Sequence, residues 1–259
     1  MSMRSCDVIL AAGGSGSRFG GPVNKVLTEL RGIPVLRYSL DLFGVHPAVR
    51  RIVIPCRPED REAIAALAAD WREAHAEEAA EILLTDGGPS RQDSVYNALL
   101  LCREPLVLIH DGARPFADAA MIDACLGALE TYPAVSTGVP SKDTVKLVNE
   151  AGEVLQTTDR SRTILIQTPQ GFRREELLAA HDRFRGTPVT DDCSLMELAG
   201  HAVKIVPGSY RNIKITTPED LPGCQGTYLC HLFTKKDDRD TSPVISDNKP
   251  ALAGGLLYW

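Results

Sequence analysis

Short apolar runs alternate with longer stretches in which apolar residues recur at helical spacing through the first half of the chain. Residues 8–12, 82–84 and 106–109 are continuous apolar segments, as is 51–55 after its leading Arg51, and all four predict strands. Residues 34–43 (Val35, Leu36, Leu40, Phe43), the Ala- and Glu-rich 59–80, and 93–101 behind a capping Ser90 predict helices. A strand buried on both faces has no polar side to show, so runs of this kind separated by helices predict an α/β fold with a mostly parallel sheet covered on both faces.

The pattern changes after Val135. Residues 139–148 and 153–157 alternate about a Glu150-Ala151-Gly152 turn, the signature of a β-hairpin. A protruding hairpin leaves strand edges unpaired, and pairing them against a second copy is a common remedy, so a homodimerisation arm is expected over about 140–170. Further on, 174–185 predicts a helix, Thr190-Asp191-Asp192 a cap before a helix over 193–199, and 202–206 and 212–216 two strands. Thr217-Pro218-Glu219-Asp220 starts a helix that Pro222-Gly223 interrupts. One domain over 1–221 and an irregular tail over 222–259 follow.

Composition narrows the class of protein. A net charge of -6 gives no reason to expect nucleic acid as a partner. The seven cysteines are odd in number and never spaced C-x-x-C, which suits thiols in a reducing compartment. The N-terminal apolar run is too short for a signal peptide and no stretch suits a membrane span, so a cytoplasmic location is expected.

Polar loops cluster where strands end. The segment from Gly13 through Gly14, Gly16 and Arg18 to Lys25 follows the first strand, Asp86 to Ser94 the third, and His110-Asp111-Gly112-Ala113-Arg114-Pro115 the fourth. In parallel sheets ligands sit at those carboxyl ends. The first loop lacks the Gly-Lys-Ser/Thr of a Walker loop and has Phe19 where a dinucleotide loop needs glycine. It reads either as a nucleotidyltransferase loop holding a triphosphate or as an ordinary glycine-rich turn.

These motifs resemble the 2-C-methyl-D-erythritol 4-phosphate cytidylyltransferases and the related ribitol-5-phosphate cytidylyltransferases. The likeness runs from Val8 to about Leu221 through Ala11-Ala12-Gly13, Arg18, Lys25, Gly87-Gly88, Arg91, Ser94, His110 to Pro115, Asp143-Thr144, Asp159-Arg160, Gln167 to Gln170, Thr190-Asp191 and Asn212-Ile213-Lys214. It implies a three-layer, Rossmann-like nucleotidyltransferase fold and a cytidylyl transfer from CTP to 2-C-methyl-D-erythritol 4-phosphate, giving CDP-methylerythritol and pyrophosphate for isoprenoid precursor synthesis. It further implies Arg18, Lys25 and Lys214 on the CTP phosphates. The nucleotide would lie against Ala11, Ala12, Gly13, Gly14, Gly16 and Gly88 with Arg91, Ser94 and Asp111. Asp111, Arg114, Thr190 and Lys214 would meet the sugar phosphate, joined by Thr144, Arg160 and Thr168 from a partner's arm. Mg²⁺ would travel on the CTP phosphates rather than in a protein-built metal site.

Residue chemistry leaves other readings in view. Arg114 also reads as a surface loop residue, Asp159-Arg160 as an exposed ion pair, Thr190 as a helix cap and His110 as a structural histidine. Two departures from the family stand out: Asn24 and Val26 flank the loop lysine where proline and glutamine are usual, and Pro222 interrupts an alanine-rich C-terminal helix. The second predicts a repacked tail or reduced stability. Ribitol 5-phosphate as substrate and a non-catalytic nucleotide-binding role are the competing functions.

Overall fold

The computed structural model describes residues 5–13, 24–75 and 79–221. The expected irregular tail over 222–259 lies outside them, as do Gly14, Gly16 and Arg18. In chain order the elements are β1 (Cys6–Ala11), β2 (Glu29–Leu30), β3 (Ile33–Pro34), α1 (Val35–Phe43), β4 (Val49–Cys56), α2 (Arg61–Ala74), β5 (Glu81–Asp86), α3 (Arg91–Leu99), β6 (Leu106–Asp111) and α4 (Ala119–Ala128). There follow β7 (Ala134–Pro140), β8 (Lys146–Val148), β9 (Val154–Thr157), β10 (Ile164–Arg173), α5 (Arg174–Arg183), α6 (Asp192–Leu198) and β11 (Val203–Pro207).

Seven strands form the central sheet in the order β11-β7-β10-β6-β1-β4-β5. Every neighbouring pair is parallel except those of β10, which runs against both β6 and β7. Alternation along the strands divides the core in two. Val8 and Leu10 join Ile52, Ile54, Leu106 and Leu108 beneath α1, α2 and α4, with Phe43, Trp71 and Ile122 fully buried. Ile9, Val53, Val107 and Ile109 face the other way, against Val95 and Leu99 of α3, Leu177 of α5 and Met196 of α6. The result is a helix–sheet–helix sandwich, as the apolar runs predict.

Several boundaries move. The helix expected over 59–80 is a 3-10 turn at Pro58–Asp60 followed by α2, which ends at Ala74. There the His75 ring stacks on Trp71 and its Nδ1 takes the Trp71 carbonyl, closing the last turn. Residues 139–140 belong to β7, so the hairpin proper is β8 and β9, a separate two-stranded sheet. The strand expected over 212–216 does not form. Its alternating pattern is real, with Ile215 fully buried, but isolated bonds rather than a ladder take up its backbone: the side chains of Arg114 (Nη1) and Gln167 (Nε2) donate to the Asn212 carbonyl, and Ile215 N donates to the Ala113 carbonyl of a loop. The helix start at Thr217 is present as far as Leu221, with Asp220 Oδ2 accepting from the Thr217 backbone N–H at 2.9 Å, half of a capping box.

Candidate functional site

Two adjoining clefts open at the carboxyl ends of β1, β5 and β6. The larger, about 490 Å³, is lined by Ala11, Ala12, Gly13, Lys25, Gly88 and Ser94 among others; the smaller, about 240 Å³, by Arg114, Gln167, Thr168, Gln170, Thr190 and Asp191. Arg91, Asp111 and Lys214 belong to both and form the wall between them. The sheet brings this about: Asp111 ends β6 next to Ala11 of β1, and the two residues pair in register.

Three cations surround the Asp111 carboxylate. Lys214 Nζ lies 2.8 Å from Oδ2, Arg114 Nε 3.5 Å from Oδ2 and Arg91 Nε 3.9 Å from Oδ1. Burial alone would raise the pKa of this carboxyl, but Lys214, then Arg91 and Arg114, outweigh it and hold the group well below the ordinary carboxylate range. Arg91 is fixed from behind by Asp192 at 2.6 Å, and Asp192 is held in turn by His181 at 3.2 Å. Asp192 chiefly, with help from Asp111, raises the Arg91 pKa further, so the guanidinium stays charged. Three cations, Arg91, Arg114 and Lys214, thus share two buried carboxylates, Asp111 and Asp192, with Arg91 bound chiefly to Asp192.

Hydrogen bonding determines the state of His110. Its Nε2 lies 3.1 Å from the Arg114 carbonyl, which only accepts, so Nε2 carries the proton. Nδ1 then accepts from Thr168 Oγ1 at 3.2 Å, and that oxygen accepts from the Asp111 N–H at 3.0 Å. Burial, the dominant influence, pushes the His110 pKa down to about 4. A neutral ring with both nitrogens occupied has neither a lone pair nor a proton to offer a substrate; His110 is structural and braces the turn that presents Asp111 and Arg114.

The remaining expected residues divide clearly. Ser94 is buried and bonds the Gly88 loop, its Oγ accepting from Gly88 N at 2.9 Å and donating to the Ser90 carbonyl at 2.8 Å. A Cβ at Gly88 would lie 2.3 Å from Asp93 Cβ, so only glycine fits there. Arg114 is no surface residue: its side chain is 11% exposed and its Nη1 donates to the Asn212 carbonyl at 2.8 Å. Asp191, not Thr190, caps α6, accepting from Ser194 N at 3.0 Å, which leaves Thr190 on the smaller cleft.

Thr168 requires a correction. It lies on β10 within the central sheet, 5% exposed and bonded to Asp111 of its own chain, so it belongs to its own cleft and not to an arm reaching a partner. The pairing of β10 with β7 is interrupted between Ile166 and Gln170, and Gln167 and Thr168 of that stretch line the smaller cleft. Thr144 and Arg160 line neither cleft. Arg160 is exposed in a 3-10 turn (Arg160–Arg162), 3.5 Å from the Lys142 carbonyl, while Asp159 caps that turn through Ser161 instead of pairing with it. Gln170 and Asp192 were not among the expected site residues. Gln170 donates to Asp191 at 2.7 Å, and the sequence signal for both was their place beside expected positions in short polar motifs.

An α/β sheet whose strand ends open onto a double cleft with Arg91, Asp111 and Lys214 as its shared wall, and with Gly13 and Gly88 on the larger side, has the layout of a nucleotidyltransferase. The chain belongs to the 2-C-methyl-D-erythritol 4-phosphate cytidylyltransferase family, whose sequence profile matches residues 6–228. It is 41% identical over 217 residues to the enzyme of that name from Bacillus mycoides, covering 83% of this chain and 93% of the relative. It is 42% identical over 218 residues to the one from Geobacillus kaustophilus, covering 83% and 93%. Among solved structures it resembles 4-diphosphocytidyl-2C-methyl-D-erythritol synthase from Anaerococcus prevotii, with a TM-score of 0.76 and 31% identity, covering 88% of this chain and all of that one. No described helix is long and apolar enough to cross a membrane.

Proposed function

We infer that the chain transfers a cytidylyl group from CTP to 2-C-methyl-D-erythritol 4-phosphate. A phosphate oxygen of the sugar alcohol forms a bond to the α-phosphorus of CTP, the bond from that phosphorus to the bridging oxygen breaks, and CDP-methylerythritol and pyrophosphate result. The shared wall of Arg91, Asp111 and Lys214 carries this reading, because it lets two anionic ligands meet across one charged boundary. A phosphate monoester, with a second pKa near 6, is already ionised at neutral pH and needs no general base. The chemistry that remains is charge neutralisation.

In this reading CTP occupies the larger cleft, with its base and ribose toward Ala11, Ala12, Gly88, Arg91 and Ser94 and its phosphates toward Gly13, Lys25 and Lys214. Arg18, with Gly14 and Gly16, joins from outside the described residues. The sugar phosphate takes the smaller cleft against Asp111, Arg114, Thr168 and Thr190. The chemistry of the donors suits a magnesium ion carried by the nucleotide: the carboxylate common to both clefts is Asp111, already engaged by Lys214. Bound Mg²⁺ would supply further positive charge at the triphosphate.

We also propose a homodimer whose arms complete each other's clefts. Every residue of β8 and β9 is exposed, and Leu147, Val148, Val154 and Leu155 there, with Leu165 and Ile166 on β10, are between 42% and 69% exposed. A patch of that kind suits burial against a second copy. It would carry Thr144 and Arg160 toward the partner's substrate phosphate, for which a guanidinium fork is well matched. Pyrophosphate release from CTP, measured with methylerythritol phosphate and separately with ribitol 5-phosphate, tests the whole. Release with the first alone is expected; release with ribitol 5-phosphate alone, or with neither, would refute the assignment.

A further inference from the structure

Asn24 is 1% exposed and uses its side chain completely. Its Nδ2 donates to the Ala12 carbonyl at 2.8 Å and to Asp60 Oδ2 at 2.8 Å, and its Oδ1 accepts from Val26 N at 3.3 Å. Asp60 is fixed by Arg57, whose Nε and Nη2 donate to its two oxygens at 2.7 and 3.0 Å. Ala12 is the last described residue but one before the glycine-rich segment, and Asn24 is the first after it. Ala12 and Asn24, at the two ends of the described chain there, are tied together through one amide and anchored to the start of α2. Both ends, with Lys25, line the larger cleft. The backbone of Asn24, at φ -62°, has the value that proline imposes, so the residue usual in the family would fit here but would bring no side-chain tie.

We propose that Asn24 is a positioning residue for the nucleotide. By tying Ala12 to the Asn24-Lys25-Val26 segment before CTP arrives, it holds both in place on the larger cleft, so that binding need not fix them. The proposal rests on CTP being the ligand of the larger cleft. It separates Asn24 from a merely buried polar residue because the benefit falls on one substrate: Asn24, Arg57 and Asp60 are not among the residues that line the smaller cleft.

The test compares wild type, Asn24→Ala, Asn24→Asp and the double variant Asn24→Asp/Asp60→Asn. The dissociation constant of Mg·CTP is measured by calorimetry, the KM values for both substrates by pyrophosphate release, and Tm as a control. Asn24→Ala is expected to weaken CTP binding about tenfold with the KM for methylerythritol phosphate unchanged within about twofold. Asn24→Asp keeps the shape but sets a carboxylate against the Ala12 carbonyl and Asp60, and is expected to be worse. The double variant relieves the carboxylate–carboxylate contact between residues 24 and 60 but not the one with the Ala12 carbonyl, and it costs Arg57 an acceptor, so it should recover only part of that loss. CTP affinity unchanged in both single variants, or both KM values rising in parallel with a falling Tm, would overturn the proposal. If Asn24→Asp does not fold, Asn24→Ala decides alone. A wild type that binds CTP without releasing pyrophosphate would refute the function while the affinities still judge the clasp.

Discussion

Acidifying the protein from pH 7 to pH 4 should remove about 3 kcal/mol of stability through one imidazole. His110 is fully buried and held neutral, its pKa pushed down to about 4 from an ordinary value near 6.5. Between those two values the unfolded chain binds a proton that the folded chain refuses, so stability falls as pH falls through the window, by up to about 1.4 kcal/mol per pH unit. Outside the window this group contributes no slope. The folded structure resists for a definite reason: Nδ1 already accepts from Thr168, and a second ring proton would force that hydroxyl to turn away. Urea unfolding of wild type and of His110→Gln, followed between pH 7 and pH 4, isolates the effect, because every other titrating group is common to both. Glutamine retains a donor for the Arg114 carbonyl and an acceptor for Thr168 but cannot take up the proton. The stability difference between the two proteins should change by about 3 kcal/mol across the range. Parallel curves would show that His110 does not carry the proton balance assigned to it. Below pH 4 a further loss belongs to Asp111 and Asp192, whose folded pKa values lie below the ordinary range and whose stabilisation is lost as pH falls through them.

Other substitutions probe the site directly. Lys214→Ala and Lys25→Ala should each lower kcat/KM by roughly 10²–10³-fold with little change in melting temperature, and near-wild-type turnover in either would remove that cation from the mechanism. Mixing Arg160→Ala with Lys214→Ala chains, each nearly inactive alone, should restore about one quarter of wild-type activity if sites are completed across a dimer; no recovery would place Arg160 outside the partner's site. Gly88→Ala should destabilise by about 1–3 kcal/mol and raise the KM for CTP, since the added methyl meets Asp93 at 2.3 Å. An unchanged melting profile would show that the loop relaxes freely.

The sheet strands β1, β4 and β6 were legible because burial on both faces leaves an unbroken apolar run, and the half-buried edge strand β5 keeps a short one over Ile82, Leu83 and Leu84. The Ser90 cap and the Glu150-Ala151-Gly152 turn were legible through local backbone chemistry, and Gly152 takes φ +81° as such a turn requires. Helix α4 was passed over because it is apolar nearly all round, with no polar face to mark its period; the readable clue was Asp118, whose side chain accepts from Met121 N. Strand β10 was hidden by Pro169 and by polar residues that serve the cleft instead of the alternation. Residues 212–216 failed as a strand for the converse reason: the alternation was correct, but their backbone bonds to Arg114, Gln167 and Ala113 instead of pairing along the edge strands β11 or β5. At the site, sequence motifs brought Asp111, Arg91, Arg114 and Lys214 into one group, while the Thr168 link to His110 depends on two strands adjacent only in space.

The wall shared by the two clefts has a thermodynamic consequence. A ligand on either side that draws Lys214 or Arg91 toward itself alters the field around Asp111 felt by the other ligand. Such linkage is reciprocal: whatever factor by which the nucleotide changes the affinity for the sugar phosphate, the sugar phosphate must change that for the nucleotide. An inhibitor seated on one side would therefore inherit a potency set by how full the other side is.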